Sequence, residues 1–137
     1  MSDATYVEVV DEIVRATRAE RDTVFGEVKG AILARVGSHL PDFDVDGFLD
    51  EASGHLELYV VFKVDASDEA TSRTLPIDEA RATDPGVALG DELLFQFLCR
   101  GEAMSDLGTP DVMRRAIAAG AFAAIPALYA DALDERR

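Results

Sequence analysis

The sequence predicts an α+β fold, in which an N-terminal helical hairpin, a small antiparallel sheet and a long C-terminal helix follow one another along the chain. Apolar residues recur at helical spacing near both ends, whereas the middle of the chain alternates between apolar and polar residues with the period of a strand. Because the helical and strand patterns occupy separate parts of the chain, an α+β arrangement is favoured over alternating α/β units.

The first part of the chain predicts two consecutive helices. Val7, Val10 and Val14 recur near helical spacing, and a short polar stretch at residues 18–21 follows them. A second apolar stripe then consists of Val24, Phe25, Val28, Ile32 and Val36. Gly37 comes directly after this stripe, which is typical of a helix end. Two helices joined by a short connection predict an αα-hairpin.

The middle of the chain predicts three strands. The alternating apolar residues of the first two are Phe43, Val45, Leu56, Leu58, Val60 and Phe62. Between them lies the turn DEASG, so we expect a β-hairpin with a five-residue turn. A further strand, ELLFQFLC, spans residues 92–99. Its alternation predicts Leu94, Gln96 and Leu98 on one side.

The end of the chain predicts a long helix. Thr109 is suited to the N-cap, and Pro110 to the first helical position. The apolar stripe that follows consists of Met113, Ile117, Ala121 and Ile125. We expect Pro126 to kink this helix, because proline removes one backbone hydrogen bond and crowds the preceding turn.

Length and charge limit the classes of protein to which the chain can belong. Its 137 residues amount to one domain, residues 1–137. The net charge of −14 makes direct nucleic-acid binding unfavourable, because such a chain repels phosphate. Neither a secretory signal nor an apolar run of about 20 residues is present, so we expect no membrane span. Cys99 is the single cysteine, which fits a buried side chain in a reducing cytoplasm.

No pattern of reactive or metal-binding side chains stands out. His39 and His55 are isolated and lack the spacing of metal ligands. The stretch DFDVDGF opens with the acid spacing of a calcium-binding EF-hand loop, but Ser53 occupies the position of the closing glutamate. Its alternation favours an acidic row on a strand. No phosphate-binding loop or nucleophile elbow is present. We therefore expect no metal, no cofactor and no enzymatic activity.

Residues 75–91, LPIDEARATDPGVALGD, combine a short strand, an acid-led helical turn, a DP turn and a GD turn. This order resembles a stretch in the N-terminal domain of the bacterial transcription factor NusA. The matching positions are Leu75, Ile77, Asp78, Glu79, Ala80, Arg81, Asp84, Pro85, Gly90 and Asp91. Residues 9–28, 51–64 and 117–128 also resemble that domain in order and length. The resemblance therefore covers nearly the whole chain.

The resemblance implies a module that docks on RNA polymerase and is not an enzyme. In NusA this domain lies near the RNA exit channel, contacts the flap of the β subunit, and influences pausing, termination and antitermination. We expect an apolar groove on the helical hairpin to contact the partner, with basic residues near the terminal helix. The candidate partner-binding residues are Val24, Phe25, Val28, Arg114 and Arg115. The alternative is that the apolar members of this set belong to the core.

The chain also departs from the NusA pattern. Two basic positions of the family's terminal helix fall on Ala116 and Ala123, and Arg114 or Arg115 can substitute only for the first. NusA continues into an OB-fold domain and two KH domains that bind RNA. This sequence ends at Arg137, where those domains would begin, so we expect a stand-alone domain without them. Two other hypotheses stay open. One is a diverged protein-interaction module that no longer binds polymerase, and the other is an acidic mimic of nucleic acid.

Overall fold

The computed structural model describes residues 5–103 and 110–136, and within them an α+β fold. The elements in chain order are α1 (Tyr6–Thr17), α2 (Arg21–His39), β1 (Asp44–Asp50), β2 (His55–Asp65), β3 (Thr74–Pro76), α3 (Ile77–Thr83), β4 (Glu92–Cys99), β5 (Glu102–Ala103), α4 (Asp111–Ala118) and α5 (Ile125–Arg136). The predicted helical hairpin, β-hairpin, short strand and further strand are confirmed. The turn of the β-hairpin has four residues, 51–54, and not the five predicted, because Asp50 pairs with His55 and so belongs to β1. None of the helices within the described ranges is long and apolar enough to cross a membrane.

Strand β2 is the centre of the sheet. It pairs antiparallel with β1 on one side and with β4 on the other, and β4 pairs in turn with β5. Strand β3 extends the β1 side of the sheet by pairing with the end of β2 at Lys63–Asp65. This pairing is parallel, so the sheet is antiparallel except at β3.

The hydrophobic core lies between one face of the sheet and the helices. Alternate residues of β2 are at most 1% exposed on this inner face, namely Leu56, Leu58, Val60, Phe62 and Val64. Helices α1 and α2 supply a matching set of fully buried side chains, namely Tyr6, Val9, Val10, Val24, Val28, Ile32 and Val36. Helix α5 packs against α2 and α1. The helices therefore form one layer on the sheet.

A β-bulge at Phe97 changes the orientation of the end of β4. Gln96 pairs with Tyr59 and Leu98 pairs with Leu58, so Phe97 has no partner of its own on β2. Leu98 is consequently turned to the inner face and fully buried. The prediction that Leu98 shares a side with Leu94 and Gln96 is wrong, because the extra residue shifts the alternation.

The C-terminal helical region consists of two helices, and the interruption lies before Pro126. Helix α4 ends at a Schellman motif, in which the N–H of Gly120 bonds to the carbonyl of Ile117 and the N–H of Ala121 to that of Ala116. Gly120 has φ of 86°, a conformation that favours glycine. Pro126 lies in the first turn of α5, where its missing N–H costs no helical bond. Pro110 is the N-cap of α4, and Thr109 lies outside the described residues.

Tyr129 connects α5 to the start of β2. Its hydroxyl accepts a hydrogen bond from the backbone N–H of Leu56 at 3.1 Å and lies 3.1 Å from Nδ1 of His55. The side chain is 2% exposed, and burial raises the pKa of Tyr129 to about 12. A buried backbone N–H without a partner is costly, so this hydroxyl contributes to the position of α5 on the sheet.

We expect Tyr129→Phe to lower the free energy of unfolding by about 1–3 kcal/mol, because the buried N–H of Leu56 loses its acceptor. Urea denaturation at neutral pH measures this change. Tyr59→Phe is the matched control, because Tyr59 is only half-buried and its hydroxyl makes no hydrogen bond among the described contacts. Equal stability of the wild-type and Tyr129→Phe proteins would contradict the proposed anchor.

We also expect stability to fall above about pH 10, the ordinary pKa of tyrosine. Burial raises the pKa of both Tyr129 and Tyr6, so the unfolded chain loses these protons at a lower pH than the native chain. The neutral side chains stabilise the native state fully below pH 10, and this contribution is lost at higher pH by about 1.4 kcal/mol per pH unit for each tyrosine. Urea denaturation between pH 8 and pH 11 measures the slope. A flat profile over this range would refute the assignment.

Candidate functional site

Residues 75–91, the motif that suggested a function, form a compact unit at one end of the sheet. They comprise the end of β3, the whole of α3 and the turn that leads to β4. Leu75 and Ala80 are buried in the core, and Ile77 packs against it. The predicted order of strand, helical turn and paired bends is therefore confirmed.

The turn at residues 84–91 is closed by backbone hydrogen bonds to the carboxylates of two aspartates. The Asp84 carboxylate accepts a bond from the N–H of Gly86 at 3.1 Å, and the Asp91 carboxylate accepts one from the N–H of Ala88 at 2.9 Å. Short polar side chains that bond to nearby backbone in this way stabilise turns. Both aspartates therefore have a structural role in this motif.

The same turn is attached to the central strand. The N–H of Gly90 donates to the carbonyl of Val64 at 2.9 Å, and the N–H of Val64 donates to the carbonyl of Asp91 at 2.8 Å. Gly90 has φ of 89°, which favours glycine. The GD step of the motif thus fixes the start of β4 beside the end of β2.

The remaining motif residues divide between structure and surface. The Arg81 side chain donates from Nε to the carbonyl of Val87 at 3.3 Å and so links α3 to the turn. Asp78, Glu79 and Pro85 are exposed. The two acids lie in the first turn of α3, where negative charge is favourable. These three side chains are therefore available to a partner, and Leu89 in the same stretch is 57% exposed.

The candidate partner-binding residues of the helical hairpin differ in how far they are buried. Val24 and Val28 are each 1% exposed and belong to the core. Phe25 is half-buried, and its ring packs edge-to-face against Tyr6 with centroids 4.8 Å apart. The Tyr6 hydroxyl also donates a hydrogen bond to the Phe25 carbonyl. Of the three apolar residues predicted to contact a partner, Phe25 is therefore the one that reaches the surface.

Arg114 and Arg115 are both exposed on α4. Arg114 pairs with Asp111 one turn earlier on the same helix. An exposed pair of this kind contributes little to stability, so the guanidinium of Arg114 is accessible to another partner. These two arginines form the basic part of the candidate surface, and no contact described in the structure joins them to Phe25.

The sequence motifs do not predict the buried carboxylate of Glu57. Glu57 is 6% exposed and accepts hydrogen bonds from Nε2 of Gln96 at 2.9 Å and from the N–H of Arg100 at 3.1 Å. Its signal in the sequence is a single acid within the apolar run LELYVVF. These bonds hold the turn between β4 and β5 against β2, so the role of Glu57 is structural.

The other candidate groups show no arrangement suited to chemistry. Burial raises the pKa of the Cys99 thiol, and the neighbouring Glu57 adds to this, so the thiol is not activated as a nucleophile. Asp44 and Asp46 lie on β1 as predicted and pair with Arg73 and Lys29. Within residues 5–103 and 110–136, no group of three acidic, histidine or cysteine side chains is placed to hold a metal ion.

Comparison with known proteins shows a resemblance of fold. No family model and no curated protein sequence matches the chain. Among solved structures, the N-terminal domain of NusA from B. subtilis matches with a TM-score of 0.58 and 13% sequence identity. The match covers 96% of this chain and 94% of that one. The chain therefore has a fold like that of the NusA N-terminal domain over nearly its whole length.

We expect Gly90→Ala to destabilise the protein by about 1 kcal/mol, because a Cβ disfavours the positive φ of this residue. An added Cβ meets no atom within 4 Å, so the cost comes from the backbone alone. Gly26→Ala is the matched control, because Gly26 lies in α2 and its Cβ would also meet nothing within 4 Å. There alanine is expected to stabilise by about 0.5–1 kcal/mol. Urea denaturation measures both changes, and the same sign for both would contradict this account.

Proposed function

We propose that this chain is a non-catalytic cytoplasmic protein that binds bacterial RNA polymerase at the flap of the β subunit, near the RNA exit channel, and modulates elongation and termination. The observation that carries the proposal is the fold shared with the N-terminal domain of B. subtilis NusA across 96% of the chain. The motif at residues 75–91 supports it, because its strand, helix and turn occur in the order of the resemblance.

The surface we propose for this contact combines Phe25 on α2 with the two arginines on α4. Phe25 presents part of an aromatic ring that Tyr6 holds in a fixed orientation. A rigid, partly exposed aromatic side chain is a common anchor of protein interfaces. Arg114 and Arg115 add positive charge in a chain whose net charge is −14. They are suited to acidic groups on the partner.

The proposed contact is with protein rather than with RNA. A net charge of −14 repels a phosphate backbone, so affinity must come from shape and apolar contact. The same charge accelerates association with a basic protein surface, and added salt reduces that effect. Binding that survives moderate salt would distinguish docking of this kind from the charge-only attraction of an acidic nucleic-acid mimic.

We expect the purified chain to bind core RNA polymerase and the isolated β flap, and the double variant Arg114→Glu, Arg115→Glu to bind about tenfold more weakly. Biolayer interferometry at low and at moderate salt measures the affinity. The matched control is Arg15→Glu with Arg136→Glu, which makes the same change in charge at exposed positions on α1 and α5. Circular dichroism melting establishes that each variant is folded.

The possible outcomes separate the competing functions. No binding of the wild-type chain to polymerase at low salt would refute the proposal and favour a diverged interaction module. Binding that moderate salt abolishes, and that both double variants strengthen equally because the chain becomes more negative, would also refute it. That result would favour an acidic mimic, because charge-only attraction does not depend on where the charge lies.

A further inference from the structure

The face of the sheet that lies opposite the helices carries an exposed apolar stripe. Because side chains alternate along β2, Tyr59 and Val61 point away from the buried face of that strand. Phe48 on β1 and Leu94 on β4 lie on this same outer face. Leu94 pairs with Val61, and Phe48 pairs with Glu57, which also points outward from β2. We refer to Phe48, Tyr59, Val61 and Leu94 as the outer stripe.

The outer stripe exposes two large apolar side chains. Phe48 and Leu94 are each 46% exposed, and among the described residues only Leu89 joins them as an exposed large hydrophobic side chain. The Phe48 ring packs edge-to-face on Tyr59, with centroids 5.6 Å apart. Large apolar side chains gathered on one face mark an interaction surface more often than single exposed ones do.

The outer stripe is also preorganised. The hydrogen bonds of Glu57 to Gln96 and to the Arg100 N–H connect β2 to β4 on this face. The ammonium group of Lys29 lies 5.5 Å from the centroid of the Phe48 ring and 3.4 Å from the Asp46 carboxylate. Strands held in this way lose little conformational freedom on binding, which favours affinity.

One end of the outer stripe adjoins a strongly acidic part of the protein. Leu94 lies two residues after Glu92, the first residue of β4. The turn that precedes β4 lies beside the end of β2. Residues 65–92 hold eight carboxylates and two arginines, a net charge of −6. Of these arginines, Arg73 pairs with Asp44 and Arg81 bonds to the Val87 carbonyl. We refer to residues 65–92 as the acidic end.

We propose that the outer stripe and the acidic end together dock a positively charged amphipathic segment of a partner protein. Its apolar side chains would cover Phe48 and Leu94, while its lysines or arginines would lie over the acidic end. A second copy of this chain, a nucleic acid and an anionic membrane all carry negative charge, so the net charge of −14 disfavours each of them. This surface includes none of Phe25, Arg114 and Arg115, so the proposal does not depend on polymerase binding.

The test uses the full chain and a synthetic helix-forming peptide of about 18 leucines and lysines with one apolar face. We expect this peptide to bind, and to shift the amide NMR signals of β1, β2 and β4. The double variant Phe48→Gln, Leu94→Gln is expected to bind it about tenfold more weakly by fluorescence anisotropy. Ala123→Gln is the matched control, because it adds the same amide at an exposed position between α4 and α5. It is expected to leave the affinity unchanged.

Three results would overturn the proposal. The first is equal binding of a peptide with the same residues in an order that removes the apolar face, because attraction would then depend on charge alone. The second is equal affinity of the wild-type chain and the double variant, provided that the melting curves show both to be folded. The third is a dimer by light scattering that the double variant converts to monomer, since the occupant of the stripe would then be a second copy of this chain.

Discussion

The hydrogen-bonded environment of β2 is the constraint on which the rest of the structure depends. This strand pairs with β1, β3 and β4, and its alternate side chains from Leu56 to Val64 form the base of the core. At its start, the Leu56 N–H bonds to Tyr129 of α5. At its end, Val64 bonds to Gly90 and Asp91. A shift of this strand by one residue would turn its apolar side chains to solvent and break both attachments.

This arrangement explains what the motif at residues 75–91 contributes. Most of its distinctive residues are used within the fold, because Asp84 and Asp91 close the turn, Gly90 supplies the required backbone conformation and Ala80 is buried. A motif of this kind identifies a fold more securely than it identifies a binding surface. Partner recognition must come from side chains outside it or from its few exposed acids, and these can change while the fold persists.

The sequence predicted the elements that have strong periodicity and missed features that depend on single residues. The helical hairpin and strands β1, β2 and β4 follow from apolar spacing alone. The sequence predicts an interruption at Pro126, whereas α4 ends just before Gly120. Proline is the stronger breaker within a helix, but it is tolerated in the first turn, where Pro126 lies. The bulge at Phe97 left no mark in the alternation, although it reverses the side on which Leu98 lies. Burial of Val24 and Val28 depends on the angle at which α2 meets the sheet, which periodicity does not define.

The two faces of the molecule also differ in what they can recognise. The helical layer uses nearly all of its apolar side chains in the core and leaves Phe25 and the arginines of α4 at the surface. Within residues 5–103 and 110–136, no such layer covers Phe48 and Leu94 on the outer face of the sheet, and a net charge of −6 lies beside that face. A single layer of helices on a sheet necessarily leaves one sheet face to solvent, and that face is normally polar. Because this face is apolar in part, we propose binding through both sides of the protein. At the outer face, the strongly acidic charge would favour basic proteins over anionic partners.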